Sequence, residues 1–287
     1  VIKKSDELFK KIKPDALIVL GDTYSGLSVM PASFHGIKIF HMEAGLRAWD
    51  TRMPEQRNRI LIDHMSSILL PYNQYHRENL LREGIHPSKV IVTGNPTFEV
   101  MRFFAPQIES SEILNRLELK PKGYILVTAH RSENVDNPRY LGSIFEAMAA
   151  LAERFGLPIV YPMHPRTRDK IESIPVHRMI NIMPPLGFYD FNRLLKESFC
   201  VLSDSGTAAE EGLFYGVPNV SLRMVTERIE TLESGATIVS GMSVENITES
   251  VVTAVSQPWN VRYEFEEGRS PSSVVVNAIR TQITNFF

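Results

Sequence analysis

Short apolar segments and helical patterns alternate along the chain, and this alternation restricts its fold more than any other feature. The first apolar runs, at 17–20, 37–40, 68–70 and 90–93, are bounded by turn residues, which is typical of buried strands. A helical pattern over 25–34 separates the first two runs. Strands that alternate with helices form a parallel sheet covered by helices. The sequence therefore predicts the α/β fold class.

The same alternation begins again at residue 124, with further apolar runs at 159–161 and 200–202. The segment 104–122 before it is more polar and holds no clear strand, so we expect the link between two lobes there. A chain of 287 residues is long enough for two lobes. We predict two successive α/β lobes with a ligand crevice between them, and their boundaries are 1–110 and 111–269.

Composition limits the classes of partner. A hydrophobic fraction of 43% and a charged fraction of 22% are typical of a globular protein, and no apolar run is long enough to span a bilayer. The net charge of −2 gives no electrostatic reason to expect nucleic acid or an anionic membrane as partner. Cys200 is the single cysteine, so no internal disulfide can form. The N-terminus lacks the apolar segment of a signal peptide, and we expect a cytoplasmic protein.

Three acids follow the strands and helix starts of the first lobe. Asp22 comes after the first apolar run, Glu43 after the second, and Glu55 opens a helical pattern after Pro54. Ligands of open α/β sheets bind outside the carboxyl ends of the strands, so we expect Asp22 and Glu43 to face one crevice with Glu55 near it. Such carboxylates suit proton transfer, metal binding or recognition of sugar hydroxyls. The alternative is that an acid after a strand only caps a helix or forms a turn.

The segment SDSGTAAEE at 203–211 joins a strand to a helix in the second lobe. Its small residues, Ser205, Gly206 and Thr207, would let backbone N–H groups approach an anion at the helix N-terminus. Glu211 lies about one turn into the helix, where its carboxylate could accept hydrogen bonds from ribose hydroxyls. The segment therefore predicts a nucleotide site, and the alternative is an ordinary turn with a serine or aspartate cap.

Two histidines and two arginines also lie at strand ends of the second lobe. His130 and Arg131 directly follow one strand, His164 follows the next, and Arg228 comes after a later one. A histidine at such a place can act as acid, base or phosphate donor, although a lone histidine in a turn often only completes local hydrogen bonds. Arg228 can bind phosphate or pair with a neighbouring acid. None of these residues has the spacing of metal ligands.

Several motifs, taken in order, resemble the non-hydrolysing UDP-N-acetylglucosamine 2-epimerase family. They are GDT at 21–23, HMEAGLR at 41–47, PEQRNR at 54–59, VTGNP at 92–96, VTAHRSEN at 127–134, YPMHPRT at 161–167, LSDSGTAAEE at 202–211 and TER at 226–228. Each motif alone is weak evidence, whereas their joint occurrence in this order is specific.

The resemblance implies two Rossmann-like lobes of the GT-B type, with a C-terminal helix over 270–287 that returns to the first lobe. It implies a homodimer and an isomerase that makes precursors of cell-surface polysaccharides from a UDP-sugar, without a metal or redox cofactor. In the family's reaction, UDP is eliminated and re-added through a 2-acetamidoglucal, which inverts C2. The family's catalytic acids map onto Asp22, Glu43 and Glu55 and its catalytic histidine onto His130. The remaining predicted site residues are expected to bind UDP.

The chain also departs from the family pattern. It has no GTRPE segment, so we expect a first lobe that lacks the family's first strands. The loop between Glu43 and Glu55 is short, as in members that act on deoxy or acidic sugars such as the UDP-N-acetyl-L-fucosamine-forming type. An epimerase of another UDP-2-acetamido sugar therefore stays open as an alternative, together with a GT-B glycosyltransferase and an inactive UDP-binding protein.

Overall fold

The computed structural model describes residues 1–50, 53–257 and 270–284. The chain divides into two compact units. The first contains the chain up to Glu99 together with the C-terminal helix, and the second begins at Val100, so the division lies inside one helix. We predicted the boundary at residue 110, about one helix later. In the described ranges, no helix is long and apolar enough to cross a membrane.

The first unit is built on a parallel sheet, which has three strands in its described part, in the order β1-β2-β3. These strands are β1 (Ala16–Leu20), β2 (Lys38–Met42) and β3 (Ile68–Leu70). The helices packed around them are α1 (Ile2–Ile12), α2 (Val29–Phe34), α3 (Pro54–Met65), α4 (Gln74–Arg82) and the C-terminal α15 (Pro271–Thr284). Before α2 the chain forms a 3-10 turn, Tyr24–Ser28, where we predicted the start of one continuous helix.

The two faces of this sheet carry separate cores, because successive strand residues point to opposite sides. Ile39 packs with Phe9 of α1 on one face. Phe40, the next residue of β2, packs on the other face with Val275 and Ala278 of α15. The C-terminal helix thus covers one face of the first unit's sheet. Residues 285–287 of the helix that we predicted lie outside the described residues.

The strand predicted at 90–93 is not formed, and only Val90 makes a bridge, to Leu69. The backbone N–H of Ile91 donates to Leu69 O at 2.9 Å, and that of Thr93 donates to Pro71 O at 2.9 Å. A full parallel ladder would also need an N–H from Pro71, which proline lacks. The segment therefore runs beside β3 without completing a strand.

The second unit is built on a parallel sheet with six strands in its described part, in the order β6-β5-β4-β7-β8-β9. They are β4 (Ile125–Thr128), β5 (Ile159–Pro162), β6 (Ile180–Met183), β7 (Cys200–Ser203), β8 (Asn219–Ser221) and β9 (Thr237–Val239). This is the doubly wound Rossmann order, and the strand order reverses between β4 and β7. Ligands of such sheets bind at the carboxyl ends of the two strands that flank the reversal.

Helices cover both faces of this second sheet. The helices between residues 96 and 256 are α5 (Pro96–Phe103), which crosses the division between the units, α6 (Ala105–Glu109), α7 (Ile113–Arg116), α8 (Ser132–Val135), α9 (Pro138–Phe155), α10 (Pro165–Arg168), α11 (Phe188–Glu197), α12 (Gly206–Tyr215), α13 (Ile229–Glu233) and α14 (Val244–Ser256). Residues of α9 and α14 form the core on one face and residues of α7, α11 and α12 the core on the other. The segment 104–122, where we predicted the link between the lobes, holds no strand but forms the two short helices α6 and α7. Ile108, Ile113 and Leu114 are buried in the second unit, since a few apolar side chains in a polar segment suffice to dock two short helices.

The loop after β2 gives a prediction about folding stability. Gly45 has a φ of 80°, and a Cβ atom there would lie 2.2 Å from His76 O. Gly36 has a similar φ of 69° but open space around its Cβ position. We expect Gly36→Ala to lower the free energy of unfolding by about 1–2 kcal/mol and Gly45→Ala by about 2–4 kcal/mol, because only Gly45 adds a backbone clash to the left-handed conformation. Calorimetric unfolding measures both, and equal effects would contradict this account.

Candidate functional site

Asp22 and Glu43, which follow β1 and β2, are brought together by an arginine of α3. Arg59 forms an ion pair with the Asp22 carboxylate, and its Nη2 lies 3.7 Å from Glu43 Oε2. Gly21 leaves the space for this arrangement, since a Cβ atom on it would lie 2.8 Å from Glu43 Oε2. Asn58, also on α3, donates from Nδ2 to the backbone O of Asp22 at 3.0 Å. One helix therefore holds both the backbone and the side chain of Asp22.

The backbone of Glu43 is strained. Its φ of 69° lies in the left-handed region that side chains other than glycine rarely adopt, at a cost of about 1–2 kcal/mol. Strained backbone of this kind is concentrated at functional sites, where the surrounding structure holds it in place. The side chain of Glu43 is nevertheless only 13% exposed, so the strain directs the carboxylate toward Arg59 rather than into solvent.

Glu55 lies in the first turn of α3, behind Pro54 at the helix start. Residues four apart share a helix face, so Glu55 and Arg59 are neighbours on one side of α3. Gln56 is used differently, because its Oε1 accepts a hydrogen bond from the backbone N–H of Ala48 at 2.9 Å. The structure thus groups Asp22 and Glu43 around Arg59 and places Glu55 one turn earlier on the same helix.

A buried polar network behind these acids was missed in the sequence. Asp63 of α3 accepts from His41 Nδ1 at 2.7 Å, from the backbone N–H of Gly45 at 3.2 Å and from Arg47 Nη2 at 2.8 Å. Arg47 continues to Glu83, with Nε and Nη2 each 2.6 Å from a carboxylate oxygen. Burial acts to raise the pKa of Asp63, but His41 and Arg47 outweigh it and lower the pKa.

In the second unit, a buried carboxylate holds the loop that carries His130. Asp204, fully buried after β7, accepts from the backbone N–H of His130 at 3.0 Å and of Arg131 at 2.9 Å. It also accepts from Asn134 Nδ2 at 3.1 Å. The ring nitrogen Nδ1 of His130 lies 3.4 Å from Asp204 Oδ1 while 44% of the side chain is exposed. Asp204 thus links the ends of β4 and β7, the two strands at the reversal.

His164 lies at the end of β5, next to His130. Their ring centroids are 6.2 Å apart with an interplanar angle of 39°. A hydrogen bond joins the chain segments just before the two histidines, because the hydroxyl of Tyr161 donates to Ala129 O at 2.9 Å. The two predicted histidines are therefore brought to one edge of the second sheet.

The predicted anion turn forms the N-terminus of α12. Ser205 is the N-cap, since its hydroxyl oxygen accepts from the backbone N–H of Ala208 at 3.5 Å, so the capping alternative holds for this residue. Gly206 lies under Arg228, and a Cβ on it would be 3.1 Å from Arg228 Nε. Thr207 is exposed on the first turn. Arg228 itself pairs with Glu210, whose Oε1 is 2.9 Å from Nη1, as the acid-pairing alternative expected.

Further charges surround this helix start. Arg223 Nη2 lies 2.7 Å from Glu227 Oε2, and Arg131 Nη2 lies 3.8 Å from Glu227 Oε1. Burial acts to raise the pKa of Glu227, but Arg223, Arg228 and Arg131 outweigh it and lower the pKa to about 2. Arg131 also lies 3.7 Å from Glu133 Oε1, so each of the three arginines near the N-terminus of α12 is paired with an acid.

Glu211 lies on the buried side of α12, where the side chain is 6% exposed. Burial raises its pKa to about 7, and Asn192, which donates from Nδ2 to Oε1 at 3.5 Å, offsets only part of that shift. A carboxyl group with this pKa changes its protonation near neutral pH. A ligand that donates hydrogen bonds to Glu211 would favour its ionised form.

Among the described residues, no group of three or more His, Cys, Asp or Glu side chains could hold a metal ion. The side chains that we missed are Arg59, Asp63, Asp204 and Arg223. Arg59 and Asp204 lie inside motifs whose other residues drew attention, and Asp63 meets His41 across 22 residues. Arg223 lies outside every motif, although its partner Glu227 is only four residues away. Asp204 stands directly before Ser205 at a strand end, which is the one local signal that could have identified it.

Comparison with known proteins gives a consistent result. The family model described as UDP-N-acetylglucosamine 2-epimerase matches residues 1–277. The UDP-N-acetylglucosamine 2-epimerase of Methanocaldococcus jannaschii is 34% identical over 281 residues, which are 94% of this chain and 76% of that protein. The UDP-2,3-diacetamido-2,3-dideoxy-D-glucuronate 2-epimerase of Pseudomonas aeruginosa is 35% identical over 260 residues, 90% of this chain and 72% of that one.

Solved structures agree with these sequence matches. The crystal structure of the M. jannaschii UDP-GlcNAc 2-epimerase in complex with UDP-GlcNAc and UDP matches this chain with a TM-score of 0.89. The match covers 97% of this chain and 79% of the M. jannaschii chain. The structure of UDP-N-acetylglucosamine 2-epimerase from Rickettsia bellii matches with a TM-score of 0.90 at 32% identity. That match covers 99% of this chain and 78% of the R. bellii chain. The predicted fold class, α/β with two Rossmann-like lobes of the GT-B type, is confirmed. The chain belongs to the UDP-N-acetylglucosamine 2-epimerase family.

Proposed function

We propose that the protein is a non-hydrolysing UDP-N-acetylglucosamine 2-epimerase, an isomerase that inverts C2 of a UDP-N-acetylhexosamine. The proposal is supported by the family match along nearly the whole chain and by relatives that bear this name. In the reaction, a base removes the C2 proton while the bond between C1 and the UDP oxygen breaks, which leaves a 2-acetamidoglucal and UDP. UDP then adds back to C1 and a proton returns to the opposite face of C2.

The observation that carries the proposal is the pair of carboxylates, Asp22 and Glu43, on either side of Arg59. Epimerisation at C2 needs one group that accepts a proton and another that returns one. The positive charge of Arg59 lies between the two acids in contact with both, which reduces the repulsion between their carboxylates. We assign the acid and base roles to Asp22, Glu43 and Glu55 as a set, and His130 is proposed as a fourth catalytic group.

UDP is proposed to bind in the second unit at the N-terminus of α12. Backbone N–H groups around Gly206 and Thr207, the Ser205 hydroxyl hydrogen and the guanidinium groups of Arg131 and Arg228 suit the diphosphate. His164 adds a donor at the end of β5. Glu211, on the second turn of α12, is proposed to accept hydrogen bonds from the ribose hydroxyls.

One similarity favours a second candidate for the sugar part of the substrate. The P. aeruginosa relative, at 35% identity, is named for an acidic diacetamido sugar rather than for UDP-GlcNAc. An epimerase of such a UDP-2-acetamido sugar would use the same C2 chemistry. A homodimer, a cytoplasmic location and a role in polysaccharide precursor synthesis stay predictions.

The decisive experiment is incubation of the protein with UDP-GlcNAc in D2O without an acceptor. We expect deuterium at C2 and formation of the C2 epimer, since the proton returned to C2 comes from a group that exchanges with solvent. UDP-2,3-diacetamido-2,3-dideoxy-glucuronate, tested in parallel, distinguishes the two substrates. Slow release of free sugar without deuterium would favour a GT-B glycosyltransferase, and binding without any reaction would favour an inactive UDP-binding protein.

The catalytic acids give the first prediction. We expect Asp22→Asn, Glu43→Gln and Glu55→Gln each to lower the rate of C2 exchange by about 10²–10⁴-fold, because each removes one proton-transfer group. UDP affinity, measured by calorimetry, should stay unchanged. Glu78→Gln is the control, since Glu78 is an exposed acid of the same unit that pairs with Arg82 at 3.3 Å. Loss of UDP binding in any of the three variants would instead assign that acid to ligand binding.

Glu211 gives a prediction about pH. With a pKa of about 7 it is protonated in the free protein below neutral pH and ionised above it. Ribose hydroxyls donate to the ionised form, so bound UDP should lower this pKa, and UDP affinity should rise with pH up to about 7 and then level off. We expect Glu211→Gln to weaken UDP binding by about 1.5–3 kcal/mol above neutral pH and to flatten this rise. UDP titrations at several pH values test it, and parallel pH profiles in the two proteins would exclude Glu211 from the site.

A further inference from the structure

His41 is a fully buried histidine with a hydrogen bond at each ring nitrogen. Nδ1 lies 2.7 Å from Asp63 Oδ1, and Nε2 lies 2.9 Å from the backbone O of Gly21. Gly21 directly precedes Asp22, and His41 precedes Glu43 by two residues on β2. The His41 ring therefore contacts the backbone next to Asp22, one proposed catalytic acid. His41 also belongs to β2, the strand that leads into Glu43, another proposed catalytic acid.

The two partners of His41 determine its charge. The carbonyl O of Gly21 can only accept a hydrogen bond, so Nε2 must carry a hydrogen. Oδ1 of Asp63 faces His41, while Oδ2 faces two further donors, since Gly45 N and Arg47 Nη2 lie 3.2 and 2.8 Å from it. The pKa of Asp63 is lowered by His41 and Arg47 against the effect of burial, so the carboxyl group is ionised. An ionised Asp63 can only accept, so Nδ1 must carry a hydrogen as well. A neutral ring would leave two lone pairs facing each other at one of these contacts.

A buried imidazolium needs compensation, and the neighbouring groups supply it. Charges alternate along the chain of contacts from His41 to Asp63, Arg47 and Glu83, so each positive group touches a negative one. Across the strands, His41 faces Leu69 of β3 and Val19 of β1, which carry no charge. Glu43 and Arg59 form the next charged pair, beyond Gly21. At the far end of this chain of contacts, His64 Nε2 lies 3.4 Å from Glu83 Oε2, and 44% of the His64 side chain is exposed.

We propose that His41, as a buried imidazolium, is a positioning residue that fixes the Gly21–Asp22 backbone so that the Asp22 carboxylate stays next to Glu43. The inference rests on the proposed function only for its catalytic consequence. Gly21 is confined by three contacts. Its N–H donates to Met42 O at 3.2 Å, its C=O accepts from His41, and its Cα faces the Glu43 carboxylate. Of these three contacts, the hydrogen bond from His41 is the one in which an ionisable side chain is the donor.

The charge of His41 is measured first, by ring-nitrogen NMR of the full 15N-labelled chain. The chain has eight histidines, and the spectrum of His41→Asn identifies the signals of His41. We expect both ring nitrogens of His41 to carry a hydrogen, one directed at Asp63 and one at the backbone O of Gly21. A neutral tautomer would overturn the proposal, whatever the protein catalyses.

Two amide substitutions then separate the two hydrogen bonds. An asparagine amide lies where Nδ1 was, so His41→Asn keeps a donor toward Asp63 and loses the bond to Gly21. A glutamine amide reaches the Nε2 position, so His41→Gln keeps the donor toward Gly21. We expect kcat for C2 exchange to fall about 100-fold in His41→Asn and less than about tenfold in His41→Gln, with UDP affinity unchanged in both. His35→Asn, at an exposed histidine paired with Asp6, is the control.

A purely structural role would give a different result. Both variants lose one buried hydrogen bond, so an activity loss that follows the loss of Tm, or that is equal in the two variants, would overturn the proposal. Faster amide exchange of residues 20–23 in His41→Asn than in His41→Gln supports it directly, and equal exchange contradicts it. Because amide exchange and NMR do not use the reaction, they decide the inference even if the wild-type protein shows no C2 exchange, a result that would count against the proposed function alone.

Discussion

Two buried carboxylates, Asp63 and Asp204, determine the shape of the loops at the strand ends. A carboxylate without water must be surrounded by hydrogen-bond donors, or its burial costs several kcal/mol (about 3–5 when one partner is lost). Each of these acids takes donors from a loop that follows a neighbouring strand, Asp63 from Gly45 and Asp204 from Arg131. The loops cannot relax without leaving a buried charge unsatisfied. The proposed catalytic groups are therefore held by acids that face away from the solvent.

Glycine has a related role at the same strand ends, which is to leave space for charged groups. A Cβ on Gly21 would overlap the Glu43 carboxylate, and a Cβ on Gly206 would press on the Arg228 guanidinium at 3.1 Å. Gly21 also has a φ of 75°, a conformation that favours glycine. Gly206 has no such φ and is needed only because Arg228 lies so close to its backbone. The GDT and SDSGT motifs thus share a physical requirement: a charged side chain lies directly against the backbone. A larger residue at either position would displace that charged side chain, which is Glu43 at Gly21 and Arg228 at Gly206.

Much of this arrangement follows from the sequence, because its main cause is local. Apolar runs bounded by turn residues mark the strands, and a parallel sheet places their carboxyl ends on one edge, so the positions of Asp22, His130 and the turn at Ser205 could be predicted. The residues that form hydrogen bonds and ion pairs at these positions could not be predicted. Arg59 lies in the middle of a helical pattern, where an arginine is ordinary, and Asp63 meets His41 across 22 residues. The absence of a strand at 90–93 depended on one proline, Pro71, directly after β3.

The charges around α12 show what the anion turn contributes beyond its sequence motif. The Ser205 oxygen accepts from Ala208, so the hydroxyl caps the helix as well as presenting its hydrogen. Glu210 pairs with Arg228 and Glu227 pairs with Arg223, and both acids are buried. Because Glu227 has its pKa lowered to about 2, it stays ionised and fixes its arginines in place at any physiological pH. A diphosphate released from C1 would carry more negative charge than one still bonded to the sugar. An arginine cluster that is already ordered would stabilise that added charge without reorganisation, which is the electrostatic requirement of an elimination step.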